Sequence, residues 1–429
     1  MAFDTSVSGI LAASADLGII GNNIANSSTS GFKSSRGEFT DIYASSLLGT
    51  PGTAIGQGVQ LNSVKQDFSQ GNIEFTTNSL DLAINGSGFF RLSNDGVATY
   101  TRAGAFQLDR DGNIVNGSGM QLQGYPQDVE GNITGELGNL QLSTALIDPN
   151  ATSQAVITAN LDSRSVAPVI PWAGSFDAFA DPATAPTPGM FESSTSLTVY
   201  DQLGNPHVMS IYFSKVAAAD LTDPTKPNEW IARTLIDGVE IGAGISMPFE
   251  ANGQIAADNL PLAYNIADWT PLDADGASNG ASAQALSLDF SSFTQYGAAF
   301  AVSTVNQDGY TTGQLRGVEI DESGVLFTRY TNGQSRQIGQ IALASFTNPN
   351  GLQPSGDSTW VETFSAGQPT LSTPGLGGTG AIQSGALEGS NVELTSQLVR
   401  MIIAQRNFQA NAQLIQTEDT VTQTVINLR

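Results

Sequence analysis

The residues able to do chemistry in this chain are few, and each group of them fails on spacing or context. There is no cysteine and a single histidine, His207. That excludes a thiolate nucleophile, a disulfide framework and a cysteine-ligated zinc, and leaves little scope for a histidine-based metal site. Gly375-Leu376-Gly377-Gly378-Thr379-Gly380 has the glycine spacing of a dinucleotide-binding turn. Such a turn needs a strand before it and a helix opening at its end, whereas here a polar, proline-containing stretch precedes it and no helical pattern follows, so a linker is predicted. Asp109-Arg110-Asp111-Gly112-Asn113 begins like a calcium loop, but Ile114 stands where the turn glycine belongs and Met120 where the bidentate acid belongs. A hairpin turn is the expectation there. His207 follows Asn205-Pro206 between two strand-like runs and is expected to be a solvated turn histidine. Asp289, Glu319, Asp321 and Glu322 are the acids a hydrolytic cleft would use, and nothing in their spacing makes them converge. The sequence therefore predicts no catalytic residue, no cofactor and no metal.

Charge and length narrow the classes further. The 429 residues, 40% of them hydrophobic, suffice for packed cores in about three domains. Sixteen Lys and Arg against 40 Asp and Glu leave a net charge of −24, which repels phosphate backbones and anionic lipid surfaces, so nucleic acid is not an expected partner. The longest apolar runs fall short of the roughly 18 residues of a transmembrane helix, so membrane insertion is not expected. Met1-Ala2-Phe3-Asp4-Thr5 opens without a basic region or a continuous apolar run, so no cleaved secretory signal is expected either.

The elements that would position any site are of two kinds. The middle of the chain is punctuated by Asn85-Gly86, Asp95-Gly96, Asp111-Gly112, Asn116-Gly117, Asp237-Gly238, Asp308-Gly309 and Asn332-Gly333, pairs that favour the positive φ of two-residue hairpin turns. Strands are predicted around 80–142, 194–235 and 286–348, paired antiparallel because the connections are so short. Pro168, Pro171, Pro182, Pro186 and Pro188 mark a long surface excursion, since proline has no donor for a ladder. The predicted architecture is mainly β with helical termini, the β domains nested: a core domain at 76–149 and 285–362, an outer domain inserted at 150–284, and connecting segments at 31–75 and 363–387. The Gly, Ser, Thr and Pro of 366–391 are expected to form a flexible linker.

The second kind is helical and lies at the ends, 1–30 and 388–429. Phe3, Ile10, Leu17 and Ile24 repeat at seven-residue intervals, as do Leu394, Met401, Phe408 and Ile415, with Val7 and Leu398 beside them. That repeat holds side chains on one helical face and winds neighbouring helices into a coiled-coil-like pair. Packed only on each other such ends are marginal, so the stripes predict folding coupled to association with further copies.

The residues within these ends are recognisable. Ser8-Gly9-Ile10, Gly21-Asn22-Asn23-Ile24-Ala25-Asn26 and Thr29-Ser30-Gly31-Phe32-Lys33 resemble the N-terminal signature of the rod and hook proteins of the bacterial flagellum, and Ala404-Gln405-Arg406-Asn407-Phe408-Gln409 resembles their C-terminal one. Leu82-Ala83-Ile84-Asn85-Gly86-Ser87-Gly88-Phe89-Phe90 with Tyr100-Thr101-Arg102-Ala103-Gly104-Ala105-Phe106 is similar to their core β domain. Leu197-Thr198-Val199-Tyr200-Asp201, the ending Asn427-Leu428-Arg429 and the total length favour the hook type over the rod type.

The resemblance implies a structural subunit that stacks into a helical tube, a flexible joint carrying torque from rod to filament. Its implied partners are copies of itself, the distal rod, the hook cap, the hook-filament junction proteins and the flagellar export apparatus. The implied location is extracellular, in the hook and basal body, reached without a cleaved signal. The family's export-gate pattern, an aromatic followed four positions later by a hydrophobic residue, fits Phe39 and Tyr43, and also Phe3 and Val7. With no cysteine, cysteine-dependent crosslinks between subunits are excluded. The alternatives are a distal rod subunit, or a secreted β-rich carbohydrate-binding protein or enzyme whose helices pack on its own β domains.

Overall fold

A computed structural model describes residues 2–42, 56–128, 131–217, 220–221 and 228–427. The chain divides into two units. One comprises Met1–Thr144, Arg316–Arg329 and Ser335–Arg429; the other comprises Ala145–Leu315 and Tyr330–Gln334.

The first unit holds both helices, α1 (Ala2–Ala25) and α2 (Leu394–Asn427). Asp4 in the first turn of α1 complements the positive end of the helix dipole. Beside α1 runs an antiparallel hairpin, Ser35–Asp41 with Val59–Gln66. The β core is built on Phe89–Asn94, which pairs antiparallel with Val97–Thr101 and Gln121–Pro126. Because successive strand residues face opposite sides, Phe90 joins one cluster with Leu82, Leu122, Leu326 and Ile341, and Phe89 joins another with Tyr100, Phe346 and Trp360. The turn between the first two strands has φ of 48° at Asp95 and 90° at Gly96, the positive pair that a two-residue hairpin needs.

The second unit is a sandwich. One sheet is an antiparallel meander of Ser193–Tyr200, Pro206–Lys215, Asn228–Ile236 and Val239–Phe249. The other is centred on Gln154–Asp162, whose alternate residues Ala155, Ile157, Ala159 and Leu161 enter a core with Met209, Ile211, Phe213, Trp230 and Phe290.

Several expectations are corrected. The pairing is not wholly antiparallel: Gln154–Asp162 runs parallel to Gln284–Asp289 and to Thr294–Tyr296. The chain between them, which contains the β meander, serves as the crossover that parallel strands require, where a helix is usual. The return expected at 285 comes at Arg316, because 284–307 adds strands to the second unit rather than the first. The 366–391 stretch is not a free linker: Thr370–Ser372, Ala381–Ser384 and Ala386–Glu388 pair with Leu343–Ser345, Leu82–Asn85 and Ile73–Phe75. Its glycine run forms a turn closed by Gly375 N–H to the Gly380 carbonyl at 3.0 Å, and no helix follows until Leu394. Asp308 does not head a two-residue turn; its Oδ1 accepts from the Ser153 and Gln154 amides at 2.8 and 3.0 Å.

His207 is not solvated. It is 5% exposed, with Nδ1 2.6 Å from Asp237 Oδ2, Nε2 3.5 Å from Asp201 Oδ2 and its ring edge-on to Trp269. Finally, Phe3–Ala25 is long and apolar enough to cross a membrane by length and composition. Its apolar residues are interrupted by Asp4, Thr5, Ser6, Ser8, Ser14, Asp16, Asn22 and Asn23 instead of forming one run, which hid this in the sequence.

Candidate assembly interface

The helix pair is stitched by small and polar side chains. Along α1 the buried residues are Ser6, Ala13, Ile20 and Asn23, and along α2 they are Gln397 and Ala404, so the heptad repeat is real but its buried line is offset three residues from the predicted stripe. A Cβ on Gly9 would lie 2.6 Å from the Asn411 amide oxygen. Asn23 donates to Gln397 at 3.3 Å, and its amide exchanges two 2.8 Å bonds with the backbone of Ser35. These pairs, Gly9 with Asn411 and Asn23 with Gln397, make the helices antiparallel. Burial raises the Asp16 carboxyl above its usual range, opposed by the Arg400 charge.

The large apolar residues of the predicted stripe are left partly open. Phe3 is 54% exposed, and Leu394, Leu398 and Phe408 are exposed too. Val7, Ile10, Leu17, Ile24, Met401 and Ile415 are half-buried. Leu11, Val399, Ile402, Ile403, Leu414, Val421 and Ile426 add to the open surface. Two long helices thus share a narrow seam and turn most of their apolar side chains outward.

Signature residues divide into internal and outward ones. Asn22 and Asn26 bond each other across one helical turn at 2.8 Å. Gly31 has φ of 69°, and a Cβ there would meet the Ala103 backbone nitrogen at 2.4 Å, so only glycine fits. Phe32 is half-buried, and its carbonyl accepts from the Asn391 amide at 3.5 Å. Gln405, Arg406 and Asn407 are exposed on α2. Phe39 stands half-open opposite Leu61 in the hairpin, and Tyr43 lies outside the described residues.

Sequence reasoning missed the joint at the base of the helices. Glu388, fully buried, takes Lys33 Nζ at 2.6 Å on one oxygen and Arg102 Nη1 at 3.2 Å on the other, and the first oxygen also accepts the Gly71 amide at 2.9 Å. Lys33 also donates to the Ser69 carbonyl at 2.7 Å. Burial lowers both the Lys33 and Arg102 pKa values, opposed by Glu388. The usable signal was scarcity: a lysine next to Gly31-Phe32 in a chain so poor in cations has a reason to be there. Among the described residues no group of three or more His, Asp or Glu could hold a metal.

Comparison with known proteins accounts for the whole chain. Family models match at residues 3–33 (Flagella basal body rod protein), 83–160 (Flagellar hook protein FlgE/F/G D1 domain), 160–310 (Flagellar basal body protein FlaE D2 domain) and 383–428 (Flagellar basal body rod FlgEFG protein C-terminal). The chain is 37% identical over 442 residues to the flagellar hook protein FlgE of Escherichia coli K12, with both chains fully covered. It is 33% identical over 462 residues to that of Borreliella burgdorferi, covering 99% of this chain and 98% of the other. A crystal structure of the Helicobacter pylori flagellar hook protein FlgE2 superposes with a TM-score of 0.51 over 73% of this chain and all of that one, a likeness of fold at 14% identity. These full-length relatives are hook proteins rather than rod proteins, and the chain belongs to the flagellar hook protein family.

Proposed function

We propose that this chain is a hook subunit that polymerises into a tube through the open faces of α1 and α2, with Phe3, Val7, Ile10, Leu17, Ile24, Leu394, Leu398, Met401, Phe408 and Ile415 in the contact. The observation that carries this reading is the outward apolar surface of two helices whose buried line, Ile20 apart, is small and polar. Helices seated against several copies bury it, and the same burial accounts for a membrane-length α1 without a bilayer. The β units close on their own cores. The role is structural, with torque passing through subunit contacts and no chemistry performed. The polymer acts outside the cell, in contact with rod, cap and junction proteins, with Phe39 and Tyr43 of each subunit as the candidate segment read by the export gate.

Sedimentation of purified full-length chain under salting-out conditions, with microscopy of the pellet, tests this. Hollow tubes are expected. A chain that remains monomeric at every protein and salt concentration would overturn the reading.

A further inference from the structure

We propose that Lys33 and Glu388 condense to an isopeptide bond, a covalent tie between the segment leaving α1 and the segment entering α2. The bond needs only the fold of the first unit, so it stands or falls apart from the hook-subunit reading. Its two partners are an amine and a carboxyl group held together in advance. Lys33 Nζ lies 2.6 Å from Glu388 Oε1, and neither side chain is exposed to solvent. The Gly31 N–H donates to the Glu388 carbonyl at 2.7 Å, and Ala386–Glu388 pairs with Ile73–Phe75, so both backbones are fixed. Nζ donates a second hydrogen to the Ser69 carbonyl at 2.7 Å. Such placement replaces a chance encounter of the reacting groups. The apolar ring of Phe89, 5.4 Å from the Arg102 guanidinium carbon, borders the site.

Charge supplies the direction. Lys33 and Arg102 share the single carboxylate of Glu388, so the ionic form keeps three charges in the interior, and condensation removes two of them together. Burial opposes a charge on Lys33, and the Arg102 charge adds to that. Passage of one proton from Nζ to Oε1 along their hydrogen bond leaves a neutral amine, the nucleophilic form, beside a neutral acid. Nζ then attacks Cδ, and Arg102 Nη1, 3.2 Å from Oε2, stabilises the negative charge that develops there. A second proton passes from Nζ to Oε1 as the Cδ–Oε1 bond breaks, and Oε1 departs as water. One hydrogen stays on the new amide nitrogen, and Oε2 becomes the amide oxygen, still an acceptor for Arg102. No oxidant or further reactant enters.

Mass spectrometry of the folded, full-length chain after incubation at neutral pH is the test. The intact mass is expected to fall short of the sequence by one water. In a tryptic digest of the denatured chain, cleavage after Lys33 should be lost and the fragment 1–36 should appear branched onto 337–400. Lys33→Arg keeps the charge but not the amine, and its mass should equal that of its sequence. A parent chain at full sequence mass and cut after Lys33 would overturn the proposal and leave an ion pair only. A chain lighter by one water yet still cut after Lys33 has lost the water elsewhere, which overturns it equally. Neither result bears on polymerisation, and a chain that carries the bond but never polymerises would remove the hook-subunit reading alone.

Discussion

In the second unit Phe213, Trp230, Phe249 and Phe290 are wholly buried inside one sandwich, whereas along α2 Leu398, Ile402, Ile403 and Leu414 are each about half exposed. Both regions have ample apolar side chains. They differ in whether the chain supplies both walls of the core. The sandwich closes sheet on sheet. The helix pair buries Ser6, Ala13, Ile20, Asn23, Gln397 and Ala404 and leaves most of its large apolar side chains open, and on the proposed reading neighbouring copies supply the second wall. Stability in the sandwich is internal, and on that reading stability in the helices depends on concentration.

The largest effect should come at the joint that ties the helices to their β core. Glu388→Ala would leave Lys33 and Arg102 buried without a counter-charge, a loss of about 3–5 kcal/mol. Thermal unfolding should show the first unit's transition falling while the second unit's holds; equal shifts in both would mean the two regions are not separable. Next, Leu17→Asp or Met401→Asp places a carboxylate in the proposed contact at a desolvation cost of several kcal/mol. Critical concentration should rise beyond measurement while monomer melting changes little. Polymerisation at the unaltered critical concentration would remove these faces from the interface.

A smaller effect belongs to the sandwich alone. The Asp237 hydrogen bond holds the His207 pKa above its ordinary value, against burial. A raised folded-state pKa contributes stability that is full below the unfolded value of about 6.5 and fades as pH rises through the folded value. Denaturant unfolding of the second unit should therefore weaken from mildly acidic to mildly alkaline pH, and His207→Gln should flatten that slope. An unchanged slope in the variant would assign it to other groups. The mildest lever is salt. Screening, with a Debye length of about 8 Å at physiological ionic strength and about 3 Å at 1 M, should lower the critical concentration of a chain of charge −24. Sulfate at matched ionic strength should lower it further than chloride, because it favours apolar burial. A critical concentration that rose in both salts would point to attractive ion pairs in the contact.

How much of this was legible depended on sequence distance and residue size. The heptad stripes, the β middle and the Asp95-Gly96 and Asp237-Gly238 turns are local patterns and were readable. The actual helical seam was not, because Ser6, Ala13 and Ala404 give no hydrophobic signal and matter by being small enough for close approach. Lys33 and Glu388 meet across 355 residues, and the parallel pairing of 154–162 with 284–289 spans the whole meander, so no local spacing could announce either. His207 was misread for the same reason: its carboxylate partner Asp237 lies on another turn, 30 residues on. Exposure of the helical stripes could be expected from the sequence, but their half-open state required knowing what the short seam leaves uncovered.

On the proposed reading the helices lack a second wall until copies supply it, and amide exchange across Ala2–Ala25 and Leu394–Asn427 measures that directly. In dilute monomer these amides should exchange rapidly while Gln154–Asp162 and Pro206–Lys215 are protected, and in the polymer the helices should become protected as well. Helical amides already exchanging as slowly in the monomer as those of the sandwich would contradict it.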